Sequence, residues 1–250
     1  DTDNKLNLDG DRTTIDGNEI VVSFSDEYDL LNAFFKKYME IKPTILTGWN
    51  VEFFDVPYLY NRASNVVGKN IANLLSPIMK VNWSDFSNRY KIAGVSILDY
   101  LALYKRFTFS EKSSYRLDAI GEYEVGEKKV AYEGTLNDLY EKDLDKFIQY
   151  NLQDVKLVKK LDDKLDFIEI ARGLAHLGHC PYEDVFMSSR YLEGAILVYL
   201  KKKNMVAPNK PPRPSKFNNN NTFVGAYVQD PQRGKHNWVF DLDITSMYPS

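Results

Sequence analysis

The sequence predicts an α/β fold, because apolar strand patterns alternate with amphipathic helix patterns along the chain. A helix pattern over residues 26–38 is followed by an apolar strand at 45–47 and by a second helix pattern over 56–66. The chain has 250 residues, of which 44% are hydrophobic. That length and composition can support one large domain or two medium ones, each with a packed core.

The first elements are predicted from their end signals. Residues 1–20 are rich in Asp, Asn, Thr and Gly, which predicts a loop or the irregular start of a segment cut from a longer chain. Asp26 can cap the first helix, and Pro43 precedes the first strand. The apolar positions of the first helix recur at helical spacing, namely Leu30, Leu31, Phe34, Phe35 and Tyr38.

The middle of the chain predicts a short β-hairpin, a buried strand and a helix. Apolar and polar residues alternate between Val81 and Ile92 on both sides of a polar turn segment, which is typical of a hairpin. Residues 95–98 are apolar enough for a buried strand, and a helix pattern follows over 99–106.

The last part of the chain predicts two helices, a linker and a strand. Apolar residues keep the 3.6-residue period over 144–161, which indicates a long amphipathic helix. A further helix over 187–203 leads into a proline-rich segment, 208–214, where we place a domain boundary. The apolar run at 238–244 predicts a strand.

Charge and cysteine content narrow the class of protein. The formal net charge is −3, so nucleic-acid binding would have to come from local patches rather than from an overall positive field. The single cysteine, Cys180, excludes an intrachain disulfide and is consistent with a reducing cytoplasm. Apolar stretches are only a few residues long, which argues against membrane spans.

Two segments place an aspartate at the start or on the face of a predicted helix. Asp55 lies two residues before Pro57, a proline suited to the first turn of a helix, so its carboxylate projects toward the end of the preceding strand. On this local geometry alone, a helix-capping role is the simpler interpretation. Tyr150 and Asp154 share one helix face, where they could meet at one phosphate or metal-bound water or form a surface hydrogen bond.

A third segment, 241–250, includes the end of the predicted strand and the residues that follow it. Asp241 and Asp243 lie on one face of that strand, and the next residues expose successive backbone amides, a layout suited to a metal-bound triphosphate. An edge strand with polar ends would look the same. Mg²⁺ favours a few carboxylates from different elements, and two ions about 3.5–4 Å apart can stabilise both the attacking and the leaving oxygen of a phosphoryl transfer.

Four motifs together resemble those of the B-family DNA polymerases, especially those of T-even-type tailed phages. Residues 47–62 resemble the second exonuclease motif, and Tyr150 to Asp154 matches the third, Tyr-x-x-x-Asp. Gly225-Ala226-Tyr227-Val228 is similar to the small motif between the exonuclease and polymerase modules. Residues 243–250 fit polymerase motif A, with Met247 in place of Leu. Order and spacing agree from about Ile41 to Ser250.

The resemblance implies a domain organisation. Residues 1–167 would form part of a ribonuclease H-like 3′–5′ exonuclease domain without its opening strands. Residues 168–214 would form a helical segment and a proline-rich linker, and 215–250 would begin the polymerase palm with its first strand. No Asp in the chain is followed two positions later by Glu, the carboxylate pair of the family's first exonuclease motif.

The resemblance also implies roles in the exonuclease site. Asp55 and Asp154 would bind the metal ions, Mg²⁺ or Mn²⁺, and Tyr150 would orient the attacking water or the scissile phosphate. Asn50 would help to hold the primer end. DNA contacts would also come from Gly225, Ala226 and Tyr227.

In the polymerase site, the resemblance implies that Asp243 binds both Mg²⁺ ions and that Ile244 lends a backbone carbonyl to one of them. The amides of Ser246, Met247 and Tyr248 would bind the incoming triphosphate. The Tyr248 ring would pack under the sugar and exclude a ribose 2′-hydroxyl.

Two functions from different classes follow. The first is a piece of a replicative, DNA-directed DNA polymerase with a proofreading exonuclease, working in the cytoplasm of an infected bacterial host. Its partners would be primer–template and single-stranded DNA, deoxynucleoside triphosphates, the remaining polymerase segments or a sliding clamp, and no membrane. The second is a non-enzymatic module that binds single-stranded DNA or a partner subunit. Because the first exonuclease motif is absent, we expect residues 1–250 alone to be inactive.

Overall fold

The computed structural model of the chain describes residues 11–15, 19–85, 87–130, 134–209, 227 and 229–242. The chain divides into two compact units, Asp1–Ala207 and Pro208–Ser250. All helices and strands found among the described residues belong to the first unit. None of the helices described is both long and apolar enough to cross a membrane.

The first unit mixes strands and helices, which confirms the predicted α/β class. Its strands are β1 (Asp11–Ile15), β2 (Glu19–Ser23), β3 (Ile45–Gly48), β4 (Val81–Ser84), β5 (Arg89–Ile92) and β6 (Ser96–Asp99). Its α-helices are α1 (Glu27–Ile41), α2 (Asp55–Val66), α3 (Lys69–Ala72), α4 (Tyr100–Phe107), α5 (Leu117–Val125), α6 (Leu136–Lys142), α7 (Leu144–Leu165), α8 (Phe167–Gly178) and α9 (Ser188–Lys202).

Strands β3 and β6 form a parallel pair at the centre of the first unit. Ile45 lies opposite Ser96, and Gly48 lies opposite Asp99. Parallel neighbours need a long crossover connection, and α2 with the β4–β5 hairpin supplies it here. The carboxyl ends of both strands therefore lie at the same edge, where the connections to α2 and α4 begin.

An antiparallel hairpin, β1–β2, occupies part of the segment predicted to be a loop. Asp11 pairs with Ser23 and Ile15 pairs with Glu19, so the loop prediction is wrong over 11–15 and 19–20. The two strands are rich in Thr, Val and Ile, whose branched side chains favour extended backbone. The sequence interpretation gave more weight to the neighbouring Asp, Asn and Gly residues, which favour loops, than to these strand-favouring residues.

The predicted short hairpin at Val81–Ile92 is confirmed as β4–β5, with four residues in each strand. The Trp83 and Tyr90 rings meet edge to face, with their centroids 5.0 Å apart. Tyr90 also packs on Tyr60 of α2, with the centroids 4.6 Å apart. These aromatic contacts attach the hairpin to α2, the helix that follows β3 along the chain.

Two hydrophobic clusters pack on opposite sides of β6, because alternate residues of a strand face opposite ways. Leu98 belongs to the cluster beneath α4, α5, α7 and α8, whereas Ile97 belongs to the cluster beneath α1 and α2. The first cluster includes Tyr100, Leu103, Tyr104, Ile120, Leu157, Leu161 and Ala171. The second includes Phe35, Val56, Tyr60, Ala63 and Leu75.

The long helix predicted over 144–161 is confirmed as α7, which extends to Leu165. Asp143 caps its start by accepting from the Lys146 amide at 3.0 Å, and Asp166 ends it with a left-handed φ of 54°. A new helix, α8, begins directly after this break; the family resemblance implied a helical segment from residue 168, but no local pattern predicted this helix.

The second unit corrects one strand prediction. Residues 238–242 form no strand among the described residues, so the predicted strand is wrong over that range, and residues 243–244 lie outside the described part. An extended segment becomes a strand only when another strand pairs with its backbone. Its apolar side chains are exposed instead: Trp238, Val239, Phe240 and Leu242.

Candidate functional site

An open cleft of about 1530 Å³ lies in the first unit, beside the carboxyl ends of β3 and β6. Its walls come from the loop after β3, from the starts of α2, α4 and α5, and from one face of α7. Ligand sites often form at this edge of a parallel sheet, because the loops that follow the strands converge there.

Four residues that the sequence singled out line this cleft, namely Asn50, Asp55, Tyr150 and Asp154. The first two come from the β3–α2 connection and the start of α2, whereas the other two come from α7. Residues about one hundred positions apart in sequence therefore face the same space. Their catalytic and metal-binding roles stay predictions.

Lys129 joins Tyr150 and Asp154. Its Nζ lies 2.6 Å from Asp154 Oδ2 and donates to Tyr150 Oη at 3.2 Å. The prediction that Tyr150 and Asp154 share one helix face is thus confirmed. Burial alone would lower the pKa of Lys129, but the hydrogen bonds to Asp154 and Tyr150 outweigh it and raise the pKa, so the ammonium group stays charged.

Asp154 retains one unused acceptor, which bears on whether the site fits a metal ion. Its Oδ1 is buried and has no hydrogen-bond partner within the part of the chain that the structure describes. A buried, unpaired carboxylate oxygen is costly, and a divalent cation is one group that can satisfy it. Over the same residues, no three His, Cys, Asp or Glu side chains are arranged to hold a metal ion. Asp55 and Asp154 could therefore serve as ligands without forming a complete set.

Asp55 is the first residue of α2, and the residue in the N-cap position is Phe54. Asp55 is exposed toward the cleft, yet the protein around its carboxyl group raises the pKa. A hydrogen bond to its own backbone amide opposes that rise, whereas the nearby Asp99 carboxylate adds to it. A cation bound in the cleft would relieve the cost of this negative charge.

Two residues that shape the site were not found by sequence reasoning. Lys129 lies between α5 and α6, and its Lys-Lys context is also typical of a solvated lysine. Asp99 ends β6 and is only 3% exposed. A carboxylate directly after a buried strand was the available signal for Asp99, and the sequence interpretation used it only as the start of a helix.

The residues predicted for the polymerase site lie outside the described residues: Asp243, Ile244, Ser246, Met247 and Tyr248, together with Gly225 and Ala226. Tyr227 is described, and its side chain is 89% exposed. The roles assigned to all of them stay predictions.

Comparisons with known proteins agree with the motif resemblance. Residues 3–120 match the family model described as DNA polymerase family B, exonuclease domain. The match begins well before Ile41, where the motif resemblance began, and so it includes β1 and β2.

The chain is also similar to curated proteins named DNA polymerases. It is 35% identical to the DNA-directed DNA polymerase of Escherichia phage RB69 and 32% identical to that of Enterobacteria phage T4, in each case over 92% of this chain and 26% of the relative. It is 27% identical to the DNA polymerase of Pyrococcus glycovorans over 90% of this chain and 29% of that protein. The chain thus spans about a quarter of the length of the two phage relatives. It belongs to the B-family DNA polymerases, with the match to their exonuclease domain in residues 3–120.

Proposed function

We propose that this chain supplies the substrate cleft of a metal-dependent 3′–5′ exonuclease that proofreads within a DNA polymerase. The observation that carries the proposal is the placement of Asn50, Asp55, Tyr150 and Asp154 around one cleft. Two motifs from distant parts of the sequence have a common purpose only if they act on the same ligand.

The cleft offers contacts suited to the end of a single DNA strand. The Asn50 side chain would hold the terminal nucleotide, and the Tyr150 hydroxyl would orient the water or the phosphate. The charged Lys129 ammonium would attract the phosphate backbone. Phe54 lines the cleft and is 66% exposed, so its ring is available for stacking on a base.

Mg²⁺, when bound, would supply the charge stabilisation that phosphoryl transfer needs. Asp55 and Asp154 would be this chain's ligands for it. The unpaired Oδ1 of Asp154 supports that role, whereas the lack of a three-residue ligand group among the described residues agrees with the missing Asp-x-Glu motif. We therefore propose that the chain alone lacks a complete exonuclease site.

The same proposal extends to DNA synthesis. Asp243 and the amides that follow it would form one corner of a polymerase site for deoxynucleoside triphosphates on a primer–template. The remaining polymerase segments or a sliding clamp would be partners in the cytoplasm of an infected bacterium. These proposals rest on the motif and on the relatives, which are named DNA-directed DNA polymerases.

A second candidate function is a non-enzymatic module that binds single-stranded DNA or assembles with a partner. Among the described residues no three-residue ligand set is found, which favours this function for the isolated chain. Mg²⁺ distinguishes the two candidates, because only a site that uses Asp55 and Asp154 as metal ligands should bind DNA more tightly when Mg²⁺ is present.

The test measures binding and cleavage of a short, 5′-labelled single-stranded oligonucleotide by residues 1–250, with Mg²⁺ or with a chelator. We expect binding that Mg²⁺ strengthens and that Asp154→Ala makes insensitive to Mg²⁺, with no release of 3′ nucleotides. Absence of binding would refute the proposed cleft function. An affinity for the oligonucleotide that is the same with Mg²⁺ and with the chelator would favour the non-enzymatic module. Mg²⁺-dependent release that disappears in Asp154→Ala would show that another carboxylate completes the site, and the interpretation as an incomplete enzyme would be wrong.

A further inference from the structure

Asp99 is a buried carboxylate whose two oxygens both accept hydrogen bonds from backbone amides. It ends β6, caps α4 and is 3% exposed. Oδ1 accepts from the Leu101 amide at 3.0 Å and from the Asn50 amide at 3.1 Å. Oδ2 accepts from the Glu52 amide at 3.1 Å. Only one of these three donors belongs to the helix that Asp99 caps.

Helix capping does not account for the other two contacts. A cap needs one acceptor, which Asn or Ser provides about as well as Asp. The Asn50 and Glu52 amides belong to the β3–α2 connection, 49 and 47 positions earlier in the chain. Asn50 has a left-handed φ of 65°, so the backbone turns sharply there and directs two amides toward a single carboxylate.

The loop held in this way carries part of the cleft wall. Asn50 lines the cleft, and its carbonyl oxygen accepts from the Phe54 amide at 3.1 Å. Phe54 also lines the cleft and directly precedes Asp55, the first residue of α2. The position of the loop backbone thus determines where Asn50, Phe54 and Asp55 stand.

The side chain of Glu52 ties the same loop to the β4–β5 hairpin. Its Oε1 lies 2.5 Å from Nη1 of Arg89, and the Glu52 side chain is only 12% exposed. Asp99 holds the backbone of residue 52 while Arg89 holds its side chain. The loop is therefore fixed from both β6 and β5.

We infer that Asp99 is a positioning residue, whose carboxylate fixes the β3–α2 loop so that Asn50 can hold the end of a DNA strand. This inference rests on the proposed exonuclease function of the cleft. Asp99 is not among the residues that line the cleft, so it acts through the loop and not on the substrate.

The first measurement is amide hydrogen exchange in Asp99→Asn. Asn keeps an acceptor for the Leu101 amide, but its NH₂ group presents a donor to the Glu52 amide. We expect exchange at Glu52 to become at least about tenfold faster while the amides of α4 exchange as in the wild type. Asp99→Ser is the second variant, for use if Asp99→Asn fails to fold. Its side chain also caps the helix but is too short to reach the loop, so we expect the same pattern of exchange.

The matched control is Asp26→Asn. Asp26 caps α1 with the same chemistry, accepting from the Tyr28 amide at 2.6 Å, and within the described part of the chain its carboxylate makes no hydrogen bond to the β3–α2 loop. It should leave exchange over residues 49–54 unchanged. Equal exchange at Glu52 in the wild type and in the Asp99 variants would overturn the inference.

The second measurement is binding of a 3′-ended oligothymidylate by fluorescence anisotropy, with a double-mutant cycle. Asp99→Asn and Asn50→Ala should each weaken binding about fivefold, and the double variant should be no more than about twofold weaker than either one. Multiplicative losses would mean that Asp99 does not act through Asn50, and would overturn the inference. Faster exchange at Glu52 together with no binding by the wild type would refute the proposed function and leave the loop-holding role of Asp99 standing.

Discussion

Lys129→Met removes the positive charge that joins Asp154 and Tyr150. The resulting loss of unfolding free energy can be bounded from the solvent exposure of the Lys129–Asp154 pair. The side chains of Lys129 and Asp154 are 28% and 26% exposed, with a separation of 2.6 Å between Nζ and Oδ2. Exposed pairs contribute about 0–1 kcal/mol, whereas breaking a fully buried pair costs about 3–5 kcal/mol. We expect a partly buried pair to lie between these limits, so the variant should lose about 1–2 kcal/mol of unfolding free energy.

Urea unfolding at neutral pH, followed by circular dichroism, measures this loss. Lys128→Met is the matched control, because the neighbouring lysine pairs with Glu122 at 2.8 Å with side chains 62% and 55% exposed. It should cost less than about 1 kcal/mol. Equal losses in the two variants would refute the reasoning that partial burial strengthens the Lys129 pair.

The pH dependence of the Lys129 effect follows from the direction of its pKa shift. The folded protein raises the pKa of Lys129, so its contribution is complete below the unfolded pKa of about 10.4 and is lost as pH rises through the higher folded value. The difference between wild type and Lys129→Met should therefore be constant from about pH 6 to 9 and shrink only in stronger alkali. A difference that already shrinks between pH 7 and 9 would contradict this assignment.

Two further predictions concern the packing and the pH response of the first unit. Gly121→Ala should lower the free energy of unfolding by about 1–3 kcal/mol, because its Cβ would lie 2.6 Å from Leu157 Cδ2. Gly173→Ala should raise the free energy of unfolding by up to about 1 kcal/mol, because no atom lies within 4 Å of the added Cβ. Urea unfolding that ranks the two variants in the other order would contradict the packing argument. Tyr104→Phe should cost about 1.5 kcal/mol at pH 7, because the hydroxyl donates to Glu124 Oε1 at 2.7 Å. Burial alone would raise the pKa of Glu124, but the hydrogen bonds from Tyr104 and a lysine outweigh it and hold the pKa below its usual range. The loss of stability in Tyr104→Phe should therefore fade as pH drops through that lowered value. A loss that stays constant from pH 7 to 3 would argue against the pairing.

The elements predicted correctly from sequence are those whose ends carry local chemical signals. Asp26 does cap α1, accepting from the Tyr28 amide, and the helix begins at the next residue. By contrast, α8 begins immediately after α7, at a break formed by Asp166 in the left-handed conformation. An Asp in that position has no distinctive pattern, so the periodicity ended the predicted helix at residue 161 and located neither the break nor the start of α8.

The residues of the candidate site likewise differ in whether a local sequence pattern could place them. Tyr150 and Asp154 could be assigned to one face because four residues make about one helical turn, and their shared contact with Lys129 agrees. Lys129 itself could not be predicted, because its partners lie 21 and 25 positions away and are reached only through tertiary packing. Local periodicity places residues on a face but does not say which other segment comes to meet that face.

The charges around the cleft explain why Mg²⁺ should decide between the two candidate functions. Asp55 carries a carboxyl group whose pKa is raised by the protein around it and by Asp99, and Asp154 is neutralised by Lys129 on one oxygen only. A DNA strand would bring further negative charge to a site that already disfavours it. A lysine can balance one carboxylate, but the second carboxylate and the phosphate need additional cations. Arg116, Lys128 and Lys159 also line the cleft and can balance part of this charge. We therefore expect Mg²⁺ to raise the affinity for a strand bound in this cleft, and an affinity unchanged by Mg²⁺ would argue against Asp55 and Asp154 as metal ligands.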